Sequence, residues 1–407
     1  MSCIINMMNI SLIGAGYVGL ITGIGFAKLN NTVSIIDLNS SLINKLNNSD
    51  LPFYEPDLKE FINDKIVNEN INYFDDYELG IDEHTDLVFV CVQTPTNLDS
   101  GKTDTRYIKS ALEELKKLEK YDFNICIKST VKSKLIEEIC YQLDIDFNKI
   151  VFNPEFLREG SAFYDFFNPD RVVVGGHDTD VIEKCLYLYR DFDCELISTD
   201  PISSQMIKYL SNTYLALRLS FVNETYRLVD DNGGNPLEVL NAIGKDKRIG
   251  NNYFRPSPGW GGSCFPKDVK EVANSYQDQN NLPLISKIIE SNELQMEWFS
   301  ENLLKIASLH KMNYIVLIGA AFKENTDDLR SSPTLKIYDK IKSKGINIII
   351  FDKFINLNDE YLSISELDEL KDNCLYVEMF PDLSKERKAL ISQIESLNNI
   401  YLFKMWD

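Results

Sequence analysis

The chain has 407 residues, of which 44% are apolar, so it can bury sizeable cores and is long enough for two or three domains. Its formal net charge of −20 excludes a general nucleic-acid binder, because no basic face is available for a phosphate backbone. No apolar run reaches the ~18 residues of a membrane span, so we predict no membrane partner.

The eight cysteines show no CxxC spacing, and several, such as Cys91 and Cys126, lie in apolar runs typical of buried strands. A disulfide framework is not expected in a chain of this length that starts without a basic, signal-like segment. We therefore expect a reducing, cytoplasmic compartment, and we predict no metal site.

The first 200 residues alternate short apolar runs with helical patterns. Runs buried on both faces favour a parallel α/β sheet. The predicted strands are "NISLIG", "TVSIID", "LVFVCV", "NICIKS", "KIVFN" and "RVVVGG".

The next segment predicts one long helix. It opens with Asp200 as N-cap and Pro201 at the first helical position, and it ends at Asn232-Gly233-Gly234. About thirty residues of helix span on the order of 45 Å. A helix of this length connects domains or mediates self-association more readily than it packs on one sheet.

A helical pattern continues to about residue 310, after which "NYIVLIGAAF" and "GINIIIFD" again predict strands. We therefore predict an α/β protein with two Rossmann-like domains, joined by the long central helix and a helical domain. The predicted boundaries are 1–200, 201–311 and 312–407.

The run "NISLIGAGYVGL" predicts a dinucleotide-binding turn, because Gly14, Gly16 and Gly19 follow a strand in the spacing G-x-G-x-x-G. The first glycine permits the tight turn, the second lets the backbone approach a pyrophosphate, and the third allows close helix packing. Asp37 ends the second strand, where a carboxylate binds a ribose diol and repels a 2′-phosphate. The cofactor is therefore predicted to be NAD rather than NADP.

The stretch "GWGGSCFPKD", residues 259–268, places the thiol of Cys264 in a glycine-rich loop. Lys267 would stabilise a thiolate, and Asp268 is close enough in sequence to share the site. In a cofactor-dependent oxidoreductase, such a thiol indicates a covalent adduct with an aldehyde, which gives up a hydride only once a nucleophile has made it tetrahedral.

Six ordered motifs together resemble one family, the nucleotide-sugar 6-dehydrogenases. The motifs are "GAGYVGL", "QTPT" at 93–96, "KSTV" at 128–131, "NPEFLREG" at 153–160, "GWGGSCFPKD" and "AFKENTDDLRSSP" at 321–333. The resemblance spans nearly the whole chain. It implies oxidation of a sugar C6 alcohol by two NAD+, through a thiohemiacetal and a thioester on Cys264, with UDP-glucose as the expected substrate and UDP-glucuronate as the product.

The resemblance also implies the roles of further residues. Lys208 and Asn212, four apart on one helical face, would stabilise an oxyanion at C6. Asp268 would lie near the hydrolytic water, while Thr130 and Glu155 would hold a water and assist proton transfer.

Cofactor and substrate contacts are implied in the same way. The expected cofactor-binding residues are Gly14, Ala15, Gly16, Tyr17, Val18, Gly19, Asp37, Thr94, Pro95, Thr96, Thr130, Glu159, Lys267 and Arg330. The expected substrate-binding residues are Glu155, Phe156, Leu157, Arg158, Glu159, Lys208, Asn212, Arg248, Tyr253, Arg255, Ser257, Gly259, Trp260, Gly261 and Lys323. A homodimer is expected, in which Arg248 reaches the neighbouring subunit's site.

Two positions depart from the family pattern. Leu42 stands where many members carry a basic residue near the adenosine ribose, and the tail "NNIYLFKMWD" lacks a late arginine that Lys404 would have to replace. Three alternatives stay open: oxidation of GDP-mannose or a UDP-N-acetylhexosamine, two-electron dehydrogenation of a hydroxy acid, and a catalytically silent nucleotide-binding scaffold. A hydroxy-acid dehydrogenase would not need Cys264.

Overall fold

The computed structural model describes residues 7–96, 103–274, 282–352, 372–382 and 384–406, together with 355, 357, 361, 363 and 364. The chain divides into two compact units, Met1–Leu210 and Ser211–Asp407. Among the described residues, no helix combines the length and the apolar composition needed to cross a bilayer.

The first unit is an α/β fold built on one sheet. Its strands are β1 Asn9–Ile13, β2 Thr32–Ile36, β3 Ile71–Phe74, β4 Leu87–Val90, β5 Asn124–Ile127, β6 Ile150–Phe152, β7 Arg171–Gly175 and β8 Glu195–Thr199. Its helices are α1 Tyr17–Lys28, α2 Ser40–Asn47, α3 Leu58–Ile62, α4 Lys65–Asn70, α5 Tyr77–Gly80, α6 Arg106–Lys117, α7 Ser133–Leu143, α8 Ala162–Phe167 and α9 Thr179–Tyr187, with a 3₁₀ turn at Phe147–Lys149.

The strand order is β3-β2-β1-β4-β5-β6-β7-β8. In that order, the strands from β3 to β6 run parallel to one another. The six predicted strands and the mainly parallel sheet are confirmed, with one exception in strand direction. β7 meets β6 in the antiparallel sense at one pair, Phe152 with Gly175, and then pairs with β8 in parallel. The antiparallel step keeps the connection between β6 and β7 at the carboxyl end of β6, where Glu155 lies.

Both faces of the first sheet are buried, as the apolar runs predict. Leu87 and Phe89 of β4 pack in one apolar cluster with α1, while Val88 and Val90 pack in a second cluster with α6 and α7. Successive side chains of a strand point to opposite faces, so a continuous apolar run is what a sheet covered on both sides requires.

The long helix α10 runs from Pro201 to Asp231, close to its predicted bounds. Asp200 caps it, because its Oδ1 accepts hydrogen bonds from the N–H groups of Ile202 and Ser203, both at 2.9 Å. At the other end, Gly233 has φ +74° and the Gly234 N–H bonds to the Val229 carbonyl, a common helix-terminating arrangement.

The second unit carries the remaining helices and a smaller sheet. The helices are α11 Pro236–Gly244, α12 Phe265–Ala273, α13 Pro283–Leu309, α14 Pro333–Ser343 and α15 Lys385–Glu395. The strands are β9 Tyr314–Ile318, β10 Ile348–Phe351, β11 Ser363–Ile364, β12 Cys374–Glu378 and β13 Tyr401–Phe403. They form a parallel sheet in the order β11-β10-β9-β12-β13, so the predicted return of the α/β pattern is confirmed.

Candidate active site

The glycine turn after β1 is shaped by two close backbone approaches. Gly14 has φ +99°, and a Cβ there would lie 2.9 Å from the Cys91 carbonyl oxygen. A Cβ on Gly19 would lie 1.9 Å from the Gly14 carbonyl oxygen, so α1 packs directly on the turn. By contrast, nothing lies within 4 Å of a Cβ on Gly16, the N-cap of α1. The turn thus leaves open space at the helix N-terminus, where an anion is stabilised.

Asp37, directly after β2, lies beside this turn. Its Oδ2 accepts a hydrogen bond from the Ala15 N–H at 2.9 Å, and its Oδ1 accepts one from the Asn39 N–H at 3.0 Å. Leu42, the departure noted above, is half-buried in α2 and packs against the apolar cluster of the first unit. The carboxylate is therefore held at the turn, next to the open space at Gly16.

The loops after β4 and β5 are joined at the same edge of the sheet. The Thr94 hydroxyl donates to the Thr130 carbonyl oxygen at 3.0 Å, and the Ser129 hydroxyl donates to the Val92 carbonyl oxygen at 2.6 Å. Thr96, in the same loop, forms an isolated bridge with Thr103.

A buried ion pair follows β6. The Lys208 ammonium donates to Glu155 Oε1 at 2.7 Å, and the two residues are only 3% and 8% exposed. The Leu157 N–H donates to Glu155 Oε2 at 2.7 Å. Burial alone would raise the pKa of the Glu155 carboxyl, but the charge and hydrogen bond of Lys208, the Leu157 N–H and the charge of Lys128 together hold it below its ordinary value. Glu155 is therefore ionised at neutral pH.

The loop that carries Glu155 also presents an aromatic ring and an exposed cation. The Phe156 ring lies close to two cations, with the Arg171 guanidinium 3.8 Å and the Lys208 ammonium 5.5 Å from its centroid. Arg158 pairs with Asp165 at 2.5 Å, and its side chain is 52% exposed.

A second buried carboxylate lies in the second unit, on α12. The Asn212 amide donates to Asp268 Oδ2 at 2.6 Å, and the Lys267 ammonium donates to Asp268 Oδ1 at 2.7 Å. Asp268 is fully buried. Lys267 and Asp268 thus form a direct ion pair, while the stabilisation of a Cys264 thiolate by Lys267 stays a prediction.

Cys264 is the N-cap residue of α12, a helix of nine residues. Its Sγ lies 3.4 Å from the Ser263 hydroxyl, and its carbonyl oxygen accepts the Asp268 N–H at 2.9 Å. The N-terminal end of a helix stabilises a negative charge, so this position suits a thiolate. The thiol and the carboxylate are one helical turn apart.

Close contacts within the second unit hold the glycine-rich loop. A Cβ on Gly261 would lie 2.1 Å from the Ser331 carbonyl oxygen, so this glycine is required by packing. The Trp260 indole N–H donates to the Ser220 hydroxyl at 3.0 Å, and its backbone N–H and carbonyl both bond to the Asn292 amide. Gly259 has φ +151° and lies against Met296. The thiol therefore follows a loop that close contacts and hydrogen bonds hold in place.

The stretch before that loop is only partly buried. The Ser257 N–H donates to the Asn223 side-chain oxygen at 2.8 Å, and its carbonyl accepts from the Gln295 amide at 2.8 Å. Tyr253 has φ +54°, an uncommon conformation for a bulky residue, while Arg255 is exposed.

The remaining predicted cations lie outside the buried clusters. Arg248 pairs with Asp246 at 2.6 Å with a side chain 88% exposed, and Arg330 pairs with Asp328 at 2.8 Å with a side chain 66% exposed. Lys323 is half-buried near the Phe322 ring, and Lys404 lies 3.7 Å from Glu378 at the end of β12. All four cations belong to the second unit, and the ligand that each of them binds stays a prediction.

Sequence reasoning missed a set of buried polar residues in the first unit. Glu55 accepts three hydrogen bonds, and the buried ammonium of Lys128 donates to Asn153 Oδ1 at 2.9 Å. Both amide atoms of Gln205, one turn before Lys208, are buried with no hydrogen-bond partner among the described residues. Of these residues, Lys128 and Asn153 fell within quoted motifs, but no local pattern reports that a charge is buried.

Replacing Glu155 by Gln should lower the free energy of unfolding by about 3 kcal/mol at pH 7, because the buried ammonium of Lys208 loses its counter-ion. The Glu155→Gln/Lys208→Met double variant should recover most of this loss. Glu69→Gln, which breaks the exposed ion pair with Lys65, is the matched control and should cost about 0.5 kcal/mol or less. Urea unfolding monitored by far-UV circular dichroism, which also reports the helices and strands of the first unit, measures all four proteins.

The pH dependence of this contribution to the free energy of unfolding has a definite sign. Because folding lowers the pKa of Glu155, its stabilisation is fully present above the ordinary carboxyl pKa and is lost as pH falls through the lower, folded value. The difference in the free energy of unfolding between wild type and Glu155→Gln should therefore shrink only below about pH 4.5. If this free-energy difference stays constant down to the pH at which the protein unfolds in acid, an ionised Glu155 would be contradicted.

The comparisons with known proteins cover most of the chain. Family models of the UDP-glucose/GDP-mannose dehydrogenase family match in three segments: the NAD binding domain at 8–193, the central domain at 202–294 and the UDP binding domain at 316–391. The chain is 33% identical over 387 residues to UDP-glucose 6-dehydrogenase of Rickettsia felis, covering 91% of this chain and 85% of that protein. It is also 33% identical over 354 residues to UDP-glucose 6-dehydrogenase YwqF of Bacillus subtilis, covering 85% and 79%.

Solved structures agree with these matches. The UDP-glucose dehydrogenase of the archaeon Pyrobaculum islandicum superposes with a TM-score of 0.85 at 27% identity, covering 100% of this chain and 96% of that one. GDP-mannose dehydrogenase of Pseudomonas aeruginosa is 26% identical with a TM-score of 0.56, covering 98% and 96%. The predicted fold class and NAD cofactor are thereby confirmed. From its sequence, fold and relatives, the chain belongs to the UDP-glucose/GDP-mannose dehydrogenase family and is an NAD-dependent oxidoreductase.

Proposed function

We propose that this enzyme oxidises UDP-glucose to UDP-glucuronate, with two NAD+ and one water consumed and two NADH and protons released. The observation that carries the proposal is Cys264 at the N-terminus of α12, one turn before the buried Asp268 that Asn212 and Lys267 hold. Relatives named UDP-glucose 6-dehydrogenase support the choice of sugar nucleotide. A reducing compartment such as the cytoplasm suits a thiol nucleophile.

We further propose the division into residues 1–200, 201–311 and 312–407, with NAD bound by the first part and the uridine nucleotide by the last. The first glycine turn fits the cofactor, because open space at Gly16 faces the N-terminus of α1 and Asp37 lies beside it. When bound, NAD+ accepts hydride from the sugar. The loops at Thr94–Thr96 and Thr130, with Glu159 and Arg330, complete its proposed contacts.

Lys208 and Asn212 are proposed to bind the C6 oxygen during the first oxidation. A cationic amine and an amide, four residues apart on α10, are suitable donors to an oxygen that gains negative charge. Glu155, kept ionised by Lys208, together with Thr130, would hold the water that takes the alcohol proton.

The second oxidation needs the thiol. The Cys264 thiolate adds to the aldehyde carbon, and the resulting thiohemiacetal can release hydride where a free aldehyde cannot. Loss of that hydride leaves a thioester on Cys264. Water then attacks the thioester carbon, the C–S bond breaks, and the acid leaves with the thiol restored. Asp268 is proposed to take a proton from this water, and its Asn212 and Lys267 partners hold it in place.

The nucleotide sugar is proposed to contact the loop 155–159, the stretch 253–261 and Lys323, with Arg248 supplied by a second copy of the chain. On α10, Tyr214, Phe221 and Leu228 are each more than half exposed and seven residues apart, so they share one face of the helix. Such an apolar stripe supports a homodimer built on this helix.

The substrate assignment is tested with a panel of UDP-glucose, UDP-N-acetylmannosamine, UDP-N-acetylglucosamine and GDP-mannose. UDP-glucose should give the highest kcat/KM for NADH formation. NAD+ should exceed NADP+ by at least about tenfold, because Asp37 repels a 2′-phosphate and ~1.4 kcal/mol of repulsion produces that ratio. GDP-mannose or a UDP-N-acetylhexosamine in first place would assign the chain to another branch of the family.

Replacing Cys264 by Ala should abolish the yield of two NADH per UDP-glucose and slow turnover by several orders of magnitude, each factor of ten being about 1.4 kcal/mol of barrier. Cys264→Ser keeps an oxygen nucleophile that is barely ionised near pH 7, and any ester it forms should persist and be visible by intact mass. Cys194→Ala, at a half-buried cysteine without a proposed role, is the matched control. Two-NADH turnover by Cys264→Ala at near the wild-type rate would refute the thioester route.

A shared site is tested by mixing subunits. Arg248→Ala and Cys264→Ala enzymes should each be nearly inactive alone, because each lacks one half of every site. After exchange at equal amounts, about a quarter of wild-type activity should return, since half the dimers are mixed and each carries one intact site. Verified exchange without recovery would show that Arg248 does not act across the interface.

A further inference from the structure

Glu55 is a buried carboxylate that the proposed chemistry does not use. It lies between α2 and α3 and is 4% exposed. Its Oε2 accepts from the Tyr17 hydroxyl at 2.6 Å and from the Gly160 N–H at 2.7 Å, while its Oε1 accepts from the Ala162 N–H at 2.8 Å. Three donors from two distant segments thus converge on one side chain.

Both segments belong to the predicted cofactor region. Tyr17 is the first residue of α1 and directly follows Gly16, the open position of the glycine turn. Gly160 directly follows the loop that carries Glu155 and Glu159. Phe53, two residues before Glu55, adds a ring contact with Tyr17 at 5.2 Å. One side chain therefore joins the glycine turn to the Glu155 loop.

The chemistry of the three bonds makes this junction specific to a carboxylate. An ionised carboxylate only accepts hydrogen bonds, and all three partners donate. Burial, and next the hydrogen bond to Glu55, raise the pKa of the Tyr17 phenol, so it stays protonated and remains a donor. Hydrogen bonds to a charged acceptor are stronger than those between neutral groups.

We propose that Glu55 is a positioning residue for the cofactor: it fixes the glycine turn, through Tyr17, against the loop of Glu155 and Glu159. The proposal rests on the proposed function only for the roles of those two glutamates. The first expected consequence of this role is an effect on NAD+ affinity, which can be measured without turnover.

The test uses Glu55→Gln, which conserves shape and removes charge. With either orientation of the new amide, its NH2 group faces the N–H of Gly160 or of Ala162, so one backbone donor is left unpaired. The Kd for NAD+, measured by calorimetry on the full-length enzyme, should rise about tenfold, equivalent to about 1.4 kcal/mol. The Kd for UDP should stay at the wild-type value. Glu60→Gln, at an exposed position of α3, is the matched control and should change neither constant.

Tyr17→Phe supplies a milder, independent variant, because it removes one hydroxyl and leaves the backbone of the turn unchanged. It should raise the Kd for NAD+ about threefold, and adding it to Glu55→Gln should change little further, since the hydroxyl acts through the carboxylate. Should Glu55→Gln fail to fold, the Tyr17→Phe constant decides the matter.

A purely structural role for Glu55 makes a different forecast. Both variants would then lower the melting temperature while the folded enzyme bound NAD+ with the wild-type Kd, and that result would overturn the proposal, as would fully additive effects of the two substitutions. A chain that binds NAD+ as expected yet oxidises no UDP-glucose would instead contradict the proposed function and leave the role of Glu55 intact.

Discussion

The first unit depends on one buried ion pair, Lys208 with Glu155. Neither ion is stable alone at such low exposure, because removing a charge from water costs several kcal/mol. The pair therefore requires β6 to end where it does, the Leu157 N–H to point at the carboxylate, and α10 to place Lys208 opposite it. The chemical consequence is that Glu155 keeps its charge around neutral pH.

The second unit solves a similar problem with different donors. Asp268 is more deeply buried than Glu155, and its carboxylate accepts hydrogen bonds from the Lys267 cation and from the neutral amide of Asn212. The carboxylate lies on the first turn of α12, where the helix N-terminus contributes further positive potential. Gly261 and Trp260 hold the loop before Cys264, so contacts within the fold fix the backbone that leads to the thiol.

The sequence was sufficient to predict the structure where a local pattern is compatible with only one backbone arrangement. A β-strand, a glycine turn and a second strand ending in Asp37 dictated the cofactor turn, and continuous apolar runs dictated the central strands. It was insufficient where strands lack that pattern: β3 has one buried residue and β8 has none, so neither was predicted. Glu155 was singled out only through the family resemblance, and Glu55 not at all, because the donors it binds are brought together by folding over long sequence separations.

Two turns in the chain share one backbone design, and their differences assign the cofactor to the first. Gly319 has φ +101°, and the Ala320 N–H bonds to Asp352 after β10, as the Ala15 N–H bonds to Asp37 after β2. In both turns the aspartate thus stabilises the backbone of the turn. An aspartate at this position does not by itself define a dinucleotide site.

What differs is the access to the backbone. The second turn reads "GAAFKE", with Ala321 where the first has Gly16 and Glu324 where the first has Gly19. Moreover, α1 begins directly after Gly16, whereas α14 begins only at Pro333, so no helix N-terminus follows the second turn at once. A pyrophosphate needs both the close backbone approach and the helix end. Only the first turn offers both, which is why NAD belongs there although the two units repeat the same strand, turn and aspartate.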